Sequence, residues 1–194
     1  MNLTMKSSPI HNATALALLF ALAGCSEHSG AATQPASPFL LTATIQDVMK
    51  SEVDPSADAL WDTVSTTITK QGEQHDQPHT DEQWNQVRAL AVTLTEATNL
   101  LVMPGRRVVA EGKEVEDAHI TGIRSASEIQ AAIDADRNSW IAYAHALHAA
   151  GEQALHAVDA RNAEQLLHAG EAIDAACEAC HLKYWYPGQV IPAL

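Results

Sequence analysis

Aromatic residues are scarce in this chain, at 5% of 194 positions. A β-sandwich leans on aromatic and β-branched side chains, so this composition argues against one. Basic residues are scarce too: 11 Lys and Arg stand against 24 Asp and Glu, for a formal charge of −13. That balance excludes an electrostatic nucleic-acid binder and a binder of anionic membrane surfaces. The preferred reading is a charge that keeps the protein soluble; the alternative is an acidic face that docks a basic redox partner. Cysteine is limited to three residues, Cys25, Cys177 and Cys180. Long apolar runs are limited to Ala15–Ala23, too short to span a bilayer comfortably. No internal repeat is visible. What remains is an alanine-rich chain, 46% hydrophobic. It is long enough for one domain and best suited to helix-on-helix packing.

The run Ala15–Ala23 follows a single basic residue, Lys6, and reads as the apolar part of an export signal over residues 1–24. It ends in Leu22-Ala23-Gly24-Cys25, which resembles the bacterial lipobox. That resemblance implies cleavage before Cys25, a lipid on its thiol, and a protein anchored in the periplasm. Ser26 in place of Asp implies no retention at the inner membrane, which favours the outer one. The alternative is ordinary secretion, with cleavage near Ala23 and Gly24. Residues 25–38 are small, polar and proline-containing, and read as a flexible tether.

Four helical segments are expected next. Helix A has two pieces, about 41–53 and 55–69, kinked or broken at Pro55. Gln71 to His79 reads as a loop. Helix B opens with the capping box Thr80 to Gln83 and stops at Pro104-Gly105. Residues 104–124 form a long connection without periodicity. Helix C opens at Ser125 to Glu128, with Asp136 an odd acid on its seam and Gly151 a weak point. Helix D starts at Asn162 and ends before Pro187-Gly188, leaving 188–194 as a tail. The expected fold is all-α, an antiparallel four-helix bundle.

The last turns of helix D carry Cys177-Glu178-Ala179-Cys180-His181. This CxxCH spacing reads as a covalent attachment site for one haem c, with His181 as iron ligand. Two other readings exist. A redox dithiol of the thioredoxin type needs a βαβ context, which is missing. A zinc site needs a further pair of ligands, and only histidines are left to supply them. His145 and His148, one turn apart, suit a surface metal pair; they, His75, His79, His156 and His168 read first as solvated. Arg106 and Arg107 suit haem propionates, but the ordinary reading, a solvated basic patch, is preferred. Trp61, Trp84, Trp140 and Trp185 read as core and interface residues. No general acid, base or nucleophile constellation accompanies the motif, so a carrier is expected rather than an enzyme.

A helical chain closing on CxxCH resembles the cytochrome c′ and cytochrome c556 family over about residues 39–187. Tyr184 keeps the family's aromatic three residues after the histidine, while Trp185 stands where an arginine is usual. The resemblance places Met49 at the distal position on helix A, where low-spin members carry a methionine ligand and high-spin members an apolar residue. Ile45 stands where a basic residue is often found. A core-filling role for Met49 is the alternative; Met103 reads as core or surface. Some relatives dimerise through their first two helices, so a homodimer stays open. The resemblance implies electron transfer with periplasmic or membrane redox partners, or, with an open distal face, binding of nitric oxide or carbon monoxide. A structural lipoprotein that leaves the motif unused is the third reading.

Overall fold

The structure is a computed structural model, and it describes residues 38–189. The chain divides into two units, Met1–Ala36 and Ser37–Leu194, and the described residues belong to the second. The expected signal over 1–24, with Cys25 and most of the tether, lies outside the described residues.

The first helical stretch is shorter than its sequence suggests but continuous. Helix α1 spans Ile45–Val48 and is capped by Thr44, whose side chain accepts from Asp47 N while Asp47 closes a capping box. A π-helical turn, Met49–Val53, joins it directly to α2, Asp54–Thr63. Of the two expected outcomes at Pro55, a kink or a break, the helix takes the first kind: it continues through a widened turn. Proline has no N–H for the carbonyl of Ser51, and its ring crowds that carbonyl. Opening the helix by one residue relieves both. It also explains the five-residue step between Val48 and Val53, both buried, which an ordinary helix would turn to different faces.

Helix A was expected to run to Thr69. Instead α2 stops at Thr63 and Val64 is extended, with φ −129°. Strands β1, Ser65–Thr69, and β2, Gly72–Asp76, then pair antiparallel. Thr66, Thr67, Ile68 and Thr69 are β-branched, and stiff χ1 rotamers favour the extended chain. Ile68, expected on the buried stripe, is 80% exposed. The fold is thus mostly helical, with one small hairpin added.

Helix α3 spans Asp81–Leu101 with the expected Thr80 to Gln83 capping box. The expected single helix C is two, α4 over Ala126–Ala135 and α5 over Arg137–Asp159. Asp136 explains the division. Its backbone leaves the helical region, at φ −140° and ψ 68°, and its carboxylate accepts from Ser139 N to cap α5. Helix α6 spans Ala163–Tyr184 behind the Asn162 cap.

Helix α3 packs against α2 and α5, α5 against α6, and α6 back against α2. Four elements so joined in a ring enclose a core of Leu60, Leu94, Leu147, Leu166 and Ile173, with many alanines. The connection between α3 and α4 is not solvated slack. Val108, Val109 and Val115 are buried in the same core. The carbonyls of Arg107 and Val108 accept from Ile45 N and Gln46 N at 2.8 and 3.0 Å. The connection thus satisfies amide groups that the start of α1 would otherwise leave unpaired.

Candidate functional site: the cleft between the first and last helices

Met49 and His181 are 132 residues apart in sequence and line one cleft of about 190 Å³. The first helical stretch contributes Gln46, Met49, Lys50 and Asp54; α6 and its exit contribute His181, Trp185 and Tyr186. The connection supplies Glu116, Asp117 and Ile123. It is fixed there by Gln46 Oε1, which accepts from Glu116 N at 2.7 Å, and by Lys50 Nζ, 3.1 Å from Glu116 Oε1.

Cys177 and Cys180 sit one turn apart on α6, half-buried against the core. Burial, with Asp54, Asp174 and Glu178 close by, pushes the Cys177 thiol up to about 12. Burial and the neighbouring Cys177 push Cys180 to about 12 as well. A dithiol redox centre needs the opposite shift, toward a ready thiolate. A zinc site needs further ligands beside the two thiols. No group of three or more His, Cys, Asp or Glu among the described residues is placed to hold a metal ion. Two protonated thiols at CxxCH spacing, an imidazole directly after them and a thioether across the cleft are a donor set that fits a covalently held haem.

The His181 imidazole is held below its usual value by burial, with Asp54 and Glu178 pulling the other way. Asp54 is raised by desolvation, with Asp58 and Glu116 adding to the effect and His181 and Lys50 opposing it. A neutral imidazole is the form that binds a metal. Beyond His181 the chain folds back. The His181 carbonyl accepts from both Trp185 N, at 2.8 Å, and Tyr186 N, at 3.0 Å. Both aromatic rings lie 5.8 Å from the imidazole, tilted 55° and 58°. Tyr186 Oη donates to Glu178 Oε2 at 2.6 Å.

Other sequence expectations resolve individually. Arg106 is no solvated patch: it is 7% exposed. Its guanidinium donates to the carbonyls of Leu100 and Ala43 and to Met103 Sδ. The carbonyls ending α3 attract a cation, which draws this side chain inward. Arg107 is exposed, 3.6 Å from Glu111. His148 is tucked between helices, with Nδ1 2.9 Å from Thr98 Oγ1, while His145 is exposed. Trp84 and Trp140 are buried. Trp61 donates to Gly170 O.

Sequence reasoning missed Tyr186, Glu178 and Arg124. The signal for Tyr186 was its place one turn past His181. Arg124 leaves none, because it arrives from the connection. Its guanidinium donates to Lys183 O at 3.1 Å and, more loosely, to Tyr184 O. A basic group thus stands at the end of α6 although position 185 is Trp.

No family model matches the chain, and no curated protein does either. A solved structure of a cytochrome c prime variant from Alcaligenes xylosoxidans, in the ferrous form with bound NO, is similar at a TM-score of 0.45 and 16% identity. The match covers 77% of this chain and 100% of that one.

Proposed function

We propose that this chain is a monohaem c-type cytochrome that carries electrons. In this reading the helical ring is a four-helix bundle of the cytochrome c′ kind. Cys177 and Cys180 hold haem c through thioether bonds, His181 is the proximal iron ligand and Met49 the distal one. One observation carries the reading: Met49 and His181, the latter on the helix that also carries the two thiols, line a single cleft although they come from opposite ends of the domain.

The bound group would supply an iron that alternates between ferric and ferrous states. The chain's residues do the rest. A thioether from Met49 favours the ferrous state and raises the potential. With His181 and Met49 both available to hold it, the group would need little rearrangement of this chain's residues on changing oxidation state. Met49, Ile123, Trp185 and Tyr186 give the cleft apolar surface that limits water. We place the protein in the periplasm, held to a membrane, the outer one by virtue of Ser26, through lipid on Cys25. Its partners are then periplasmic or membrane redox proteins.

The test is a haem stain on a denaturing gel, then optical spectra of oxidised and reduced protein with and without carbon monoxide. Covalent haem, a sharp low-spin reduced spectrum and resistance to carbon monoxide are expected. A high-spin spectrum that shifts readily with carbon monoxide would replace electron transfer by binding of nitric oxide or carbon monoxide at an open distal face. Absence of covalent haem, in cells that mature other c-type cytochromes, would leave a structural lipoprotein.

A further inference from the structure

The turn that follows His181 does more than end a helix. Its backbone wraps the histidine carbonyl, and two rings flank the imidazole. One of those rings is tethered. Tyr186 reaches back eight residues to Glu178, inside the CxxCH motif itself. At 2.6 Å the bond is a short, charge-assisted one, about twice as strong as a neutral hydrogen bond. Both partners are half-buried, which spares the bond from full competition with water. Glu178 precedes His181 by three residues, so it lies on the same side of the helix. The other charged side chains on the cleft are Asp54, Lys50, Glu116 and Asp117, and none of them hydrogen-bonds to Tyr186, Glu178 or the imidazole among the described residues.

Resting on the reading that His181 binds haem iron, we propose that Tyr186 is a positioning residue. Latched by Glu178, it fixes the rotation of the His181 imidazole about its bond to the metal. Metal-bound histidines are commonly oriented by a hydrogen bond to the ring itself. Here the ring is oriented by packing, and the hydrogen bond lies one step further out. The Trp185 ring packs at the same distance from the imidazole but carries no such tether.

The measurement is proton NMR of the full-length holoprotein in its ferric, cyanide-bound form. Cyanide produces one low-spin state whatever stands opposite His181. The order and spread of the haem-methyl resonances then report the direction of the imidazole plane. Tyr186→Phe keeps the ring and loses the latch; Glu178→Ala loses the acceptor; Glu178→Gln retains one. The expected result is a changed methyl order in Tyr186→Phe and Glu178→Ala, no further change in the double variant, and a near-native pattern in Glu178→Gln. A native pattern in Tyr186→Phe overturns the proposal, even if its melting temperature falls, because stability alone would then be the role. Independent, additive changes in the two single variants overturn it as well. If the unmodified protein carries no covalent haem, or its cyanide form shows no shifted methyls, the functional reading itself fails and the proposal with it.

Discussion

Tyr184 is fully buried, and its phenol oxygen has no hydrogen-bond partner among the described residues. Its ring is well placed, edge-on to Trp140 at 5.1 Å and to Tyr143 at 5.9 Å. An unpaired buried hydroxyl costs about 1–3 kcal/mol. Tyr184→Phe keeps the ring contacts and removes that cost. We expect it to raise stability by about 1 kcal/mol, read as a higher urea midpoint at unchanged slope. A loss of that size would mean that the hydroxyl has a partner in solution. Met49 gives the second prediction at this scale. Met49→Leu preserves volume, so stability should change by less than about 1.5 kcal/mol. If Met49 binds the haem iron as proposed, the reduced spectrum should nevertheless pass from low to high spin, and carbon monoxide should bind readily. An unchanged spectrum would reduce Met49 to core filling.

Between elements, the decisive contacts are close approaches that only small residues permit. Gly151 looked like a weak point in a helix, and its place against α3 explains it. A Cβ there would clash with Thr95 Oγ1 and come within 3.3 Å of Thr95 Cα. Gly151→Ala should destabilise by roughly 1–3 kcal/mol, against the propensity gain of about 1 kcal/mol that alanine brings. In a Thr95→Ala background the penalty should shrink, a coupling that chemical denaturation of the four proteins measures. The helix starts give a pH prediction. Hydrogen bonds from Thr44, Ser125 and Ser139 hold the carboxyls of Asp47, Glu128 and Asp136 below their ordinary values of 3.8, 4.5 and 3.8. A lowered carboxyl stabilises above its unfolded value, and that contribution is lost as pH falls through the lower folded one. Asp136→Asn caps α5 equally well without titrating. Its denaturation midpoint should therefore fall less than that of the unmodified protein between pH 5 and about pH 2. Parallel curves would show that the Asp136 cap does not contribute.

The same elements show what was legible in the sequence. Thr80 with Gln83 and Ser125 with Glu128 announced α3 and α4, because a capping box is a local pattern with a local cause. CxxCH was legible for the same reason. Ile68 misled, because its spacing matched a helical stripe while its β-branched neighbours favoured a strand. Pro55 left a kink and a break open, because a proline inside a helix has both outcomes, and tertiary burial of Val48 and Val53 selects the continuous, widened turn. Asp136 was noticed as odd, and its oddness was the division between α4 and α5. What stayed out of reach was non-local: Glu116 on Gln46, Arg106 on Ala43, Arg124 on Lys183. No spacing rule brings those together.

Across the whole molecule, charge is distributed unevenly between its two signs. Arg106, Arg124 and Arg137 donate to backbone carbonyls near the ends of α3 and α6, not to carboxylates. Arg88 with Asp159 and Arg161 with Asp81 tie the ends of α3 and α5, and Lys50 with Glu116 ties the connection to the first helical stretch. These pairs are exposed and each contributes little, in the range of 0–1 kcal/mol. With 24 acids against 11 bases, most carboxylates must therefore face other carboxylates at long range. Self-repulsion of this kind destabilises a compact state. Salt should relieve it, since the Debye length falls from about 30 Å at 0.01 M to about 8 Å at 0.15 M. Individual pairs respond the opposite way, so the sign of the salt effect decides which contribution dominates. We expect the melting temperature at pH 7 to rise between those two salt concentrations. The rise should fade toward pH 5, close to the isoelectric point of about 5.0. A scan of melting temperature against sodium chloride at both pH values measures it. A fall with salt at pH 7 would show that the few ion pairs outweigh the net charge.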